Sequence, residues 1–231
     1  MRLRQFKSPP RPDHGRFSLP VKMDGRIVAF LQPVSKDWAN DQTLIRLLAE
    51  WRAAHHQAFP SIFPVTHEGT GKWVKVQLIE RGDRILFLLV TREGLPVGHL
   101  GLSNFDLSGH SAEMVDILRG VNHVLPGGIG GAIRVLQRWA FEELRLRKLW
   151  LRVFLDNERA IRLYESCGFR ETRRIPLHKT VYGEITRFEE IPFGSGWSVD
   201  RVFSFMEVHH SKFGKPGRSD DTMDAHGEEH V

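Results

Sequence analysis

The sequence predicts a single α/β domain of the α+β kind, a central, mixed, mostly antiparallel, twisted sheet flanked by helices. Three observations carry this. Arg84–Val90, Pro96–Leu102 and Ala112–Leu118 are apolar, β-patterned runs joined by short connections, the first two by a turn at Glu93-Gly94, as antiparallel neighbours require. A strand, loop, helix, strand, helix unit follows them, ending at Gly168. The length, 231 residues with 41% hydrophobic and 26% charged, suits one good core with extensions better than two cores.

The elements read in order as follows. Residues 1–20 carry Pro9, Pro10, Pro12 and Pro20 among basic residues, which opposes helix and central strand, so this stretch is expected to be a flexible basic arm. Residues 21–208 form the domain. Val21 to Gln32 reads as a hairpin turning at Asp24-Gly25. A helix is expected from Asp41 to Phe59, because Leu44, Ile45, Leu48 and Trp51 recur at three- and four-residue spacing behind an Asp41 cap, with Pro60 as the stop. Lys72 to Ile79 fits a short helix or a strand. After the loop from Arg119 to Gly131, Ile129, Ala132, Ile133, Leu136, Ala140 and Leu144 share one helix face. Lys148–Phe154 is a strand, Asp156 or Asn157 caps the next helix, and Gly168 ends it. Strand patterns continue to about Glu207, and residues 209–231 are expected to be disordered.

Composition narrows the function. The single cysteine, Cys167, cannot close an intramolecular disulfide and excludes cysteine-rich zinc sites. His55-His56 and His209-His210 are adjacent pairs whose side chains diverge, so no metal site is expected. No apolar run approaches 18 residues and the first ten lack a signal-peptide core, so no membrane association and a cytoplasmic location are expected. The net charge of +5 points to an anionic partner. Between Arg134 and Arg174 there are eleven Lys or Arg and six Asp or Glu, so this segment accounts for the whole surplus. Trp139 and Trp150 fall in core-like patterns and no nucleic-acid motif appears, so nucleic acid is not the expected anion.

Two motifs carry chemistry. Pro126-Gly-Gly-Ile-Gly-Gly131 lies between a strand pattern and a helix pattern, where backbone N–H groups can approach a pyrophosphate and the helix dipole favours negative charge. It lacks the lysine of an ATP-binding P-loop. Asn157 and Tyr164 are seven residues apart, which brings them within about 20° on one helix face, so one ligand could touch both.

Together with Leu149–Phe154, these motifs and Asn157-Glu-Arg-Ala-Ile-Arg-Leu-Tyr-Glu-Ser-Cys-Gly-Phe169 resemble the GNAT superfamily of acetyl-CoA-dependent N-acetyltransferases. The likeness covers about Arg84 to Phe188, the expected cofactor core. It implies acetyl-CoA as co-substrate, no metal, and a cofactor site from Leu118, Arg119, Gly127, Gly128, Ile129, Gly130, Gly131, Asn157, Arg159 and Tyr164. It lays Gly128 and Gly130 on the family's two small phosphate-loop positions and puts Leu125 where an Arg or Gln is usual. Pro126 beside it has no N–H to offer. It also implies that Tyr164 acts as general acid beside the CoA sulfur.

In the chemistry the resemblance implies, an amine attacks the thioester carbonyl, the developing oxyanion needs an N–H, and the thiolate needs a proton. Something must take the amine's proton. Glu113 and Asp116 are the leading candidates, with His99 and His123 nearby; strand alternation points the two carboxylates to opposite faces, so one at most should reach the cleft. The expected partner is a small-molecule amine, and a homodimer is an open expectation. The loop Arg119–Gly127 and Asp156–Ile161 are similar to bacterial members that acetylate nucleotide-linked amino sugars for surface polysaccharides, for which Arg16, Arg26, Arg81, Arg173 and Arg174 could bind a second pyrophosphate. A protein, peptide or amino-acid acceptor would instead require an acidic, open groove, and a non-catalytic acyl-CoA-binding module is the third reading.

Overall fold

A computed structural model describes residues 3–7 and 17–210. The hairpin of β1 (Leu19–Met23) and β2 (Arg26–Pro33) turns on Asp24 and Gly25, both at positive φ, 49° and 77°. This is the geometry an Asp-Gly pair accepts at least cost. Helix α2 (Gln42–Ala54) starts where predicted, with the Asp41 carboxylate accepting the Leu44 N–H at 3.0 Å, and it buries Leu44, Ile45, Leu48 and Trp51. It stops at Ala54, short of Phe59, because the chain tightens there into a turn over His56–Ala58. After β3 (Ser61–Ile62), α3 (His67–Trp73) is capped by Thr66 and runs on as a π-helical segment, Val74–Glu80. The ambiguous Lys72–Ile79 stretch is therefore helical.

Strands β4 (Ile85–Thr91), β5 (Pro96–Asp106) and β6 (Ser111–Arg119) form the predicted antiparallel run. Helix α4 (Gly128–Glu142), β7 (Lys148–Phe154) and α5 (Glu158–Ser166) follow. The last three strands are β8 (Arg170–Tyr182), β9 (Ile185–Glu190) and β10 (Arg201–His209). Among the described residues ten strands join one sheet in the order β1-β2-β4-β5-β6-β7-β10-β8-β9-β3, in which β6 and β7 run parallel. Asn157 is the α5 cap, its Oδ1 accepting the Ala160 N–H at 3.2 Å; Asp156 instead pairs with Arg201 at 2.8 Å.

Both faces of the sheet are covered, and β4 shows how. Ile85, Phe87 and Leu89 pack with α4 residues Ile133, Leu136 and Ala140, whereas Leu86, Leu88 and Val90 pack with Leu44, Leu48 and Trp51 of α2 and with Leu78. Every residue of β4 is consequently buried, which accounts for its unbroken apolar run.

The expected arm is corrected in part. Leu3–Lys7 forms a short helix, α1; Leu3 is buried, and Phe6 meets Trp139 and Phe87 edge-on at 4.9 and 6.3 Å. Lys7 Nζ donates to the carbonyls of Leu78 and Arg81, so a buried ammonium caps the π-helical segment. Burial lowers the Lys7 pKa to about 8. The prolines that argue against structure lie at 9, 10 and 12, outside the described residues, and β1 already begins at Leu19. Residues 211–231, most of the expected tail, also lie outside them, while His209 ends β10.

Because Leu3 sits inside the main core, Leu3→Ala should lower unfolding free energy by about 2–4 kcal/mol. Urea melts of the two proteins check this; a loss below about 0.5 kcal/mol, the level of a surface change, would show that the segment does not contribute to the core.

Candidate active site

Strands β6 and β7 pair over three residues, Ser111–Glu113 against Lys148–Trp150, and no ladder joins them beyond. β7 stays in register with β10 as far as Phe154, opposite Phe203, and β6 stays with β5 as far as Arg119, opposite Gly98. The sheet therefore opens as a wedge between them. A cavity of about 710 Å³ fills the opening, within the usual range for a small-molecule site. It reaches both faces of the sheet. On the α4/α5 side its wall includes Gly127–Gly130, Asn157, Arg159, Ala160 and Tyr164; toward α2 and α3 it includes His55, Phe59, Pro60, Arg81 and Arg84.

A bulge in β6 shapes the centre. His99 opposes Leu118 and Gly101 opposes Val115, so one residue of β5, Leu100, faces two of β6, Asp116 and Ile117. Asp116 takes a positive φ of 53° there. The extra residue reverses strand alternation, and Glu113 and Asp116 both line the cavity. This corrects the expectation that they point to opposite faces, which assumed an uninterrupted strand. Neither stands alone. Glu113 accepts from Asn104 Nδ2 at 2.5 Å and from Arg152 at 3.0 Å, and Asp116 accepts from Arg84 at 2.5 Å.

At the start of α4, Gly127 adopts a positive φ of 75°, which a side chain would strain. The neighbouring glycines are explained partly by packing. A Cβ on Gly128 would lie 2.6 Å from the Leu125 side chain, and one on Gly131 would lie 3.1 Å from Val21 of β1. Gly131 is therefore turned to the hairpin and is not among the residues lining the cavity, unlike Gly127, Gly128, Ile129 and Gly130. The Gly128 N–H bonds to Leu125 O and the Gly131 N–H to Gly127 O. Among the described residues no backbone acceptor meets the N–H groups of Ile129 and Gly130, so the first turn of α4 keeps two donors for a ligand.

Tyr164 is 8% exposed and packs edge-on to Phe169 at 6.3 Å. Burial raises its pKa well above the ordinary phenol value, so it holds its proton at neutral pH. Cys167, one helical turn on, is buried below α4, with its Sγ 3.7 Å from Gly130 O and 3.6 Å from Arg134.

The remaining expected residues divide. Leu118 and Arg119 line the cavity, but the Arg119 guanidinium also donates to the carbonyls of Val121 and Asn122 and so clamps the following loop. Arg81 lines the cavity. Arg173 lies over the Phe205 ring at 4.3 Å and Arg174 pairs with Glu171 at 2.9 Å; neither they nor Arg26 line it, and Arg16 is outside the described residues. His123 does not line it either. His99 is buried behind the bulge, its Nδ1 donating to Asp116 O at 2.6 Å and its ring 5.9 Å from Trp51. Arg84, Asn104 and Arg152 were not singled out from the sequence. Asn104 and Arg152 had no local signal, while Arg84 opens the β4 pattern and could have been noticed on that ground. Among the described residues no group of three metal-ligating side chains could hold an ion, and no helix is long and apolar enough to cross a membrane.

Residues 30–170, more than half of the chain, match the family model described as the acetyltransferase (GNAT) domain. The chain belongs to the GNAT acetyltransferase family. A search of curated proteins gives no match. Solved structures with this fold include a chimera of the Vibrio cholerae spermidine N-acetyltransferase SpeG with hSSAT, 19% identical with a TM-score of 0.58 over 75% of this chain and 93% of that one. The V. cholerae spermidine/spermine N-acetyltransferase SpeG in complex with manganese ions gives 17% identity and a TM-score of 0.57 over 80% and 95%. A dodecameric structure of the V. cholerae spermidine N-acetyltransferase gives 18% and 0.55 over 75% and 92%. The GNAT protein is thus an N-acetyltransferase, and the family implies acetyl-CoA as its co-substrate. The donors of the α4 turn and the wedge fit a phosphate-bearing, extended thioester.

Burial lowers the His99 pKa below its ordinary 6.5. Above 6.5 both folded and unfolded chains hold this ring neutral; as pH falls through 6.5 the unfolded chain gains a proton that the folded chain resists, so stability falls. The GNAT protein's stability margin over a His99→Gln variant should therefore shrink as pH is lowered from about 7 to 5. Parallel thermal melts check this, and a constant margin would place the proton equally well in both states.

Proposed function

We propose that this enzyme transfers the acetyl group of acetyl-CoA to a primary amine on a small molecule, with an amino sugar, nucleotide-linked in its full form, as acceptor in surface-polysaccharide synthesis. The observation that carries the reading is the cavity through the β6/β7 wedge, with the Tyr164 hydroxyl-bearing ring on one side and the paired carboxylates toward the other. Bound acetyl-CoA supplies an acetyl group activated as a thioester. The α4 turn, through the Ile129 and Gly130 N–H groups, holds the pyrophosphate, and Arg159 adds charge at the same end. Asn157 spends its Oδ1 on the helix cap, so its contact comes from the amide nitrogen. The β6 edge between Val115 and Arg119, beyond its pairing with β7, pairs with the amides of the cofactor arm.

Tyr164 stays protonated and gives its proton to the departing sulfur. Asp116 is the better proton acceptor of the two carboxylates. Glu113 has its oxygens engaged by two side chains, Asn104 on one and Arg152 on the other, whereas the Asp116 carboxylate accepts, among the described residues, from Arg84 alone and keeps an oxygen for the amine. A sugar acceptor is supported by the chemistry of the wall around them. Ser103 and Asn104 can meet hydroxyls, and Phe59 and Phe203 offer apolar surface for the C–H face of a ring. Spermidine is the substrate in the names of the neighbouring structures, but a polyamine calls for unpaired carboxylates, and both of those in the wall carry guanidinium partners. The same pairing disfavours a basic peptide. A homodimer is the assembly we expect, with the exposed Tyr182, Phe193 and Trp197 as available apolar surface, and light scattering tests it.

Tyr164→Phe should reduce turnover by about 10-fold or more while acetyl-CoA affinity, read by calorimetry, barely changes. Unchanged turnover would remove Tyr164 from the proton-transfer role, and absence of acetyl-CoA binding to the unaltered enzyme would overturn the cofactor site itself.

A further inference from the structure

The wall of the cavity on the α2/α3 side holds three guanidiniums beside two carboxylates. Arg81, Arg84 and Arg152 line it against Glu113 and Asp116. The two carboxylates are already matched, Glu113 by Arg152 and Asp116 by Arg84, and Arg152 also reaches Glu190 at 3.4 Å. A fourth guanidinium stands just behind. Arg52 of α2 lies 3.4 Å over the Phe59 ring and donates to Ser61 O at 2.7 Å, and among the described residues no carboxylate pairs with it. Burial outweighs the opposing charge of Asp116 and brings its pKa down to about 10.

Two of these arginines bracket one short turn, Arg81-Gly-Asp-Arg84, which leads into β4. Arg84 is held in place by the face of Trp73, 5.3 Å away, and by Asp116 through a single nitrogen; its Nε is shielded from solvent and has no acceptor. A buried donor left unpaired is costly, and a small rotation of the guanidinium toward a second oxygen anion would relieve it. Arg81 is more open, with a 35% exposed side chain, and its partner Asp83 is 48% exposed and is not part of the cavity wall. Arg81 forks onto Asp83 through Nε and Nη2 at 2.9 and 2.6 Å and donates to Gln77 through Nη1 at 3.3 Å, so a ligand anion binds Arg81 by exchanging with this solvent-exposed pair. The turn itself is pinned, because Lys7 donates to Arg81 O.

We infer that the acceptor bears an anionic group, a phosphate or a carboxylate, in addition to its amine, and that Arg81 and Arg84 bind that group at the α2/α3 end of the cavity. This rests on the reading of that end as the amine site. It divides the acceptor into an amine directed at the wedge and an anion held back at the turn. Arg84 then has two duties, holding Asp116 and meeting the anion, whereas Arg81 determines specificity alone.

The test is thiol release from acetyl-CoA by the full chain with matched amines: glucosamine, glucosamine 6-phosphate, a nucleotide-linked amino sugar, glutamate and spermidine. The anionic amines should exceed glucosamine and spermidine in kcat/KM by about 10-fold or more. Phosphate-bearing sugars and glutamate form separate arms, so the preferred arm names the anion. Arg81→Gln should raise KM for the preferred anionic amine by about 10-fold with a smaller change in kcat, and so compress its advantage over the neutral analogue. A merely structural role for Arg81 would lower both acceptors alike and leave that ratio unchanged, which would overturn the inference. Spermidine or glucosamine used as well as the anionic amines would also overturn it, while leaving acetyl transfer standing. Acetyl-CoA binding with no release on any amine would remove the proposed reaction and this inference with it.

Discussion

The early parting of β6 and β7 is the constraint on which the rest depends. After three paired residues the two strands follow different partners, β6 held to β5 and β7 to β10, and the hydrogen-bonding edges they turn from each other have no ladder between them. Backbone groups left in this way need a partner, and a wedge lined by them is suited to an extended molecule carrying amides. The helices follow from the same opening. Helix α4 begins at one side of the gap and α5 runs past it, so the free amides of one and the tyrosine of the other converge on a single space.

A second consequence is that the site can be approached from opposite faces of the sheet. The core between the sheet and α4 and the core between the sheet and α2 are separate clusters, divided by strands such as β4 that send alternate residues to each. Only at the wedge is the sheet not a wall. The bulge at Asp116 places both carboxylates at that passage, and the arginines around them hold them in orientation. Charge pairing at this point is dense enough that the local balance, rather than the net charge of the chain, bears on which amine fits.

Much of the fold was legible from periodicity. The Asp24-Gly25 turn, the Asp41 cap, the three central strands and the strand Lys148–Phe154 all lie where their residues indicate, because each is governed by neighbours within a few positions. The end of α2 and the docking of Leu3–Lys7 were not. Helix length past the last core contact is decided by what the next turn packs against, and five residues at a chain end carry too little pattern to outweigh four nearby prolines. The site was legible in the same proportion. Asn157 and Tyr164 share a face by helical arithmetic alone, and the glycine loop announces its own backbone freedom, although Gly128 and Gly131 turn out to answer to Leu125 and Val21.

By itself, then, the sequence determined the class of fold, the order of its elements, and the two local motifs that mark an acetyltransferase, since these rest on short-range spacing and backbone preference. The tertiary structure alone decided which charges meet. A single extra residue opposite Leu100 reversed the facing of Asp116, and it brought Arg84, 32 positions away along the chain, onto its carboxylate. Arg152 reached Glu113 from 39 positions away. Strand register and bulges are set by packing across the sheet, where one residue of slip exchanges the two faces, and no local spacing rule can foresee that.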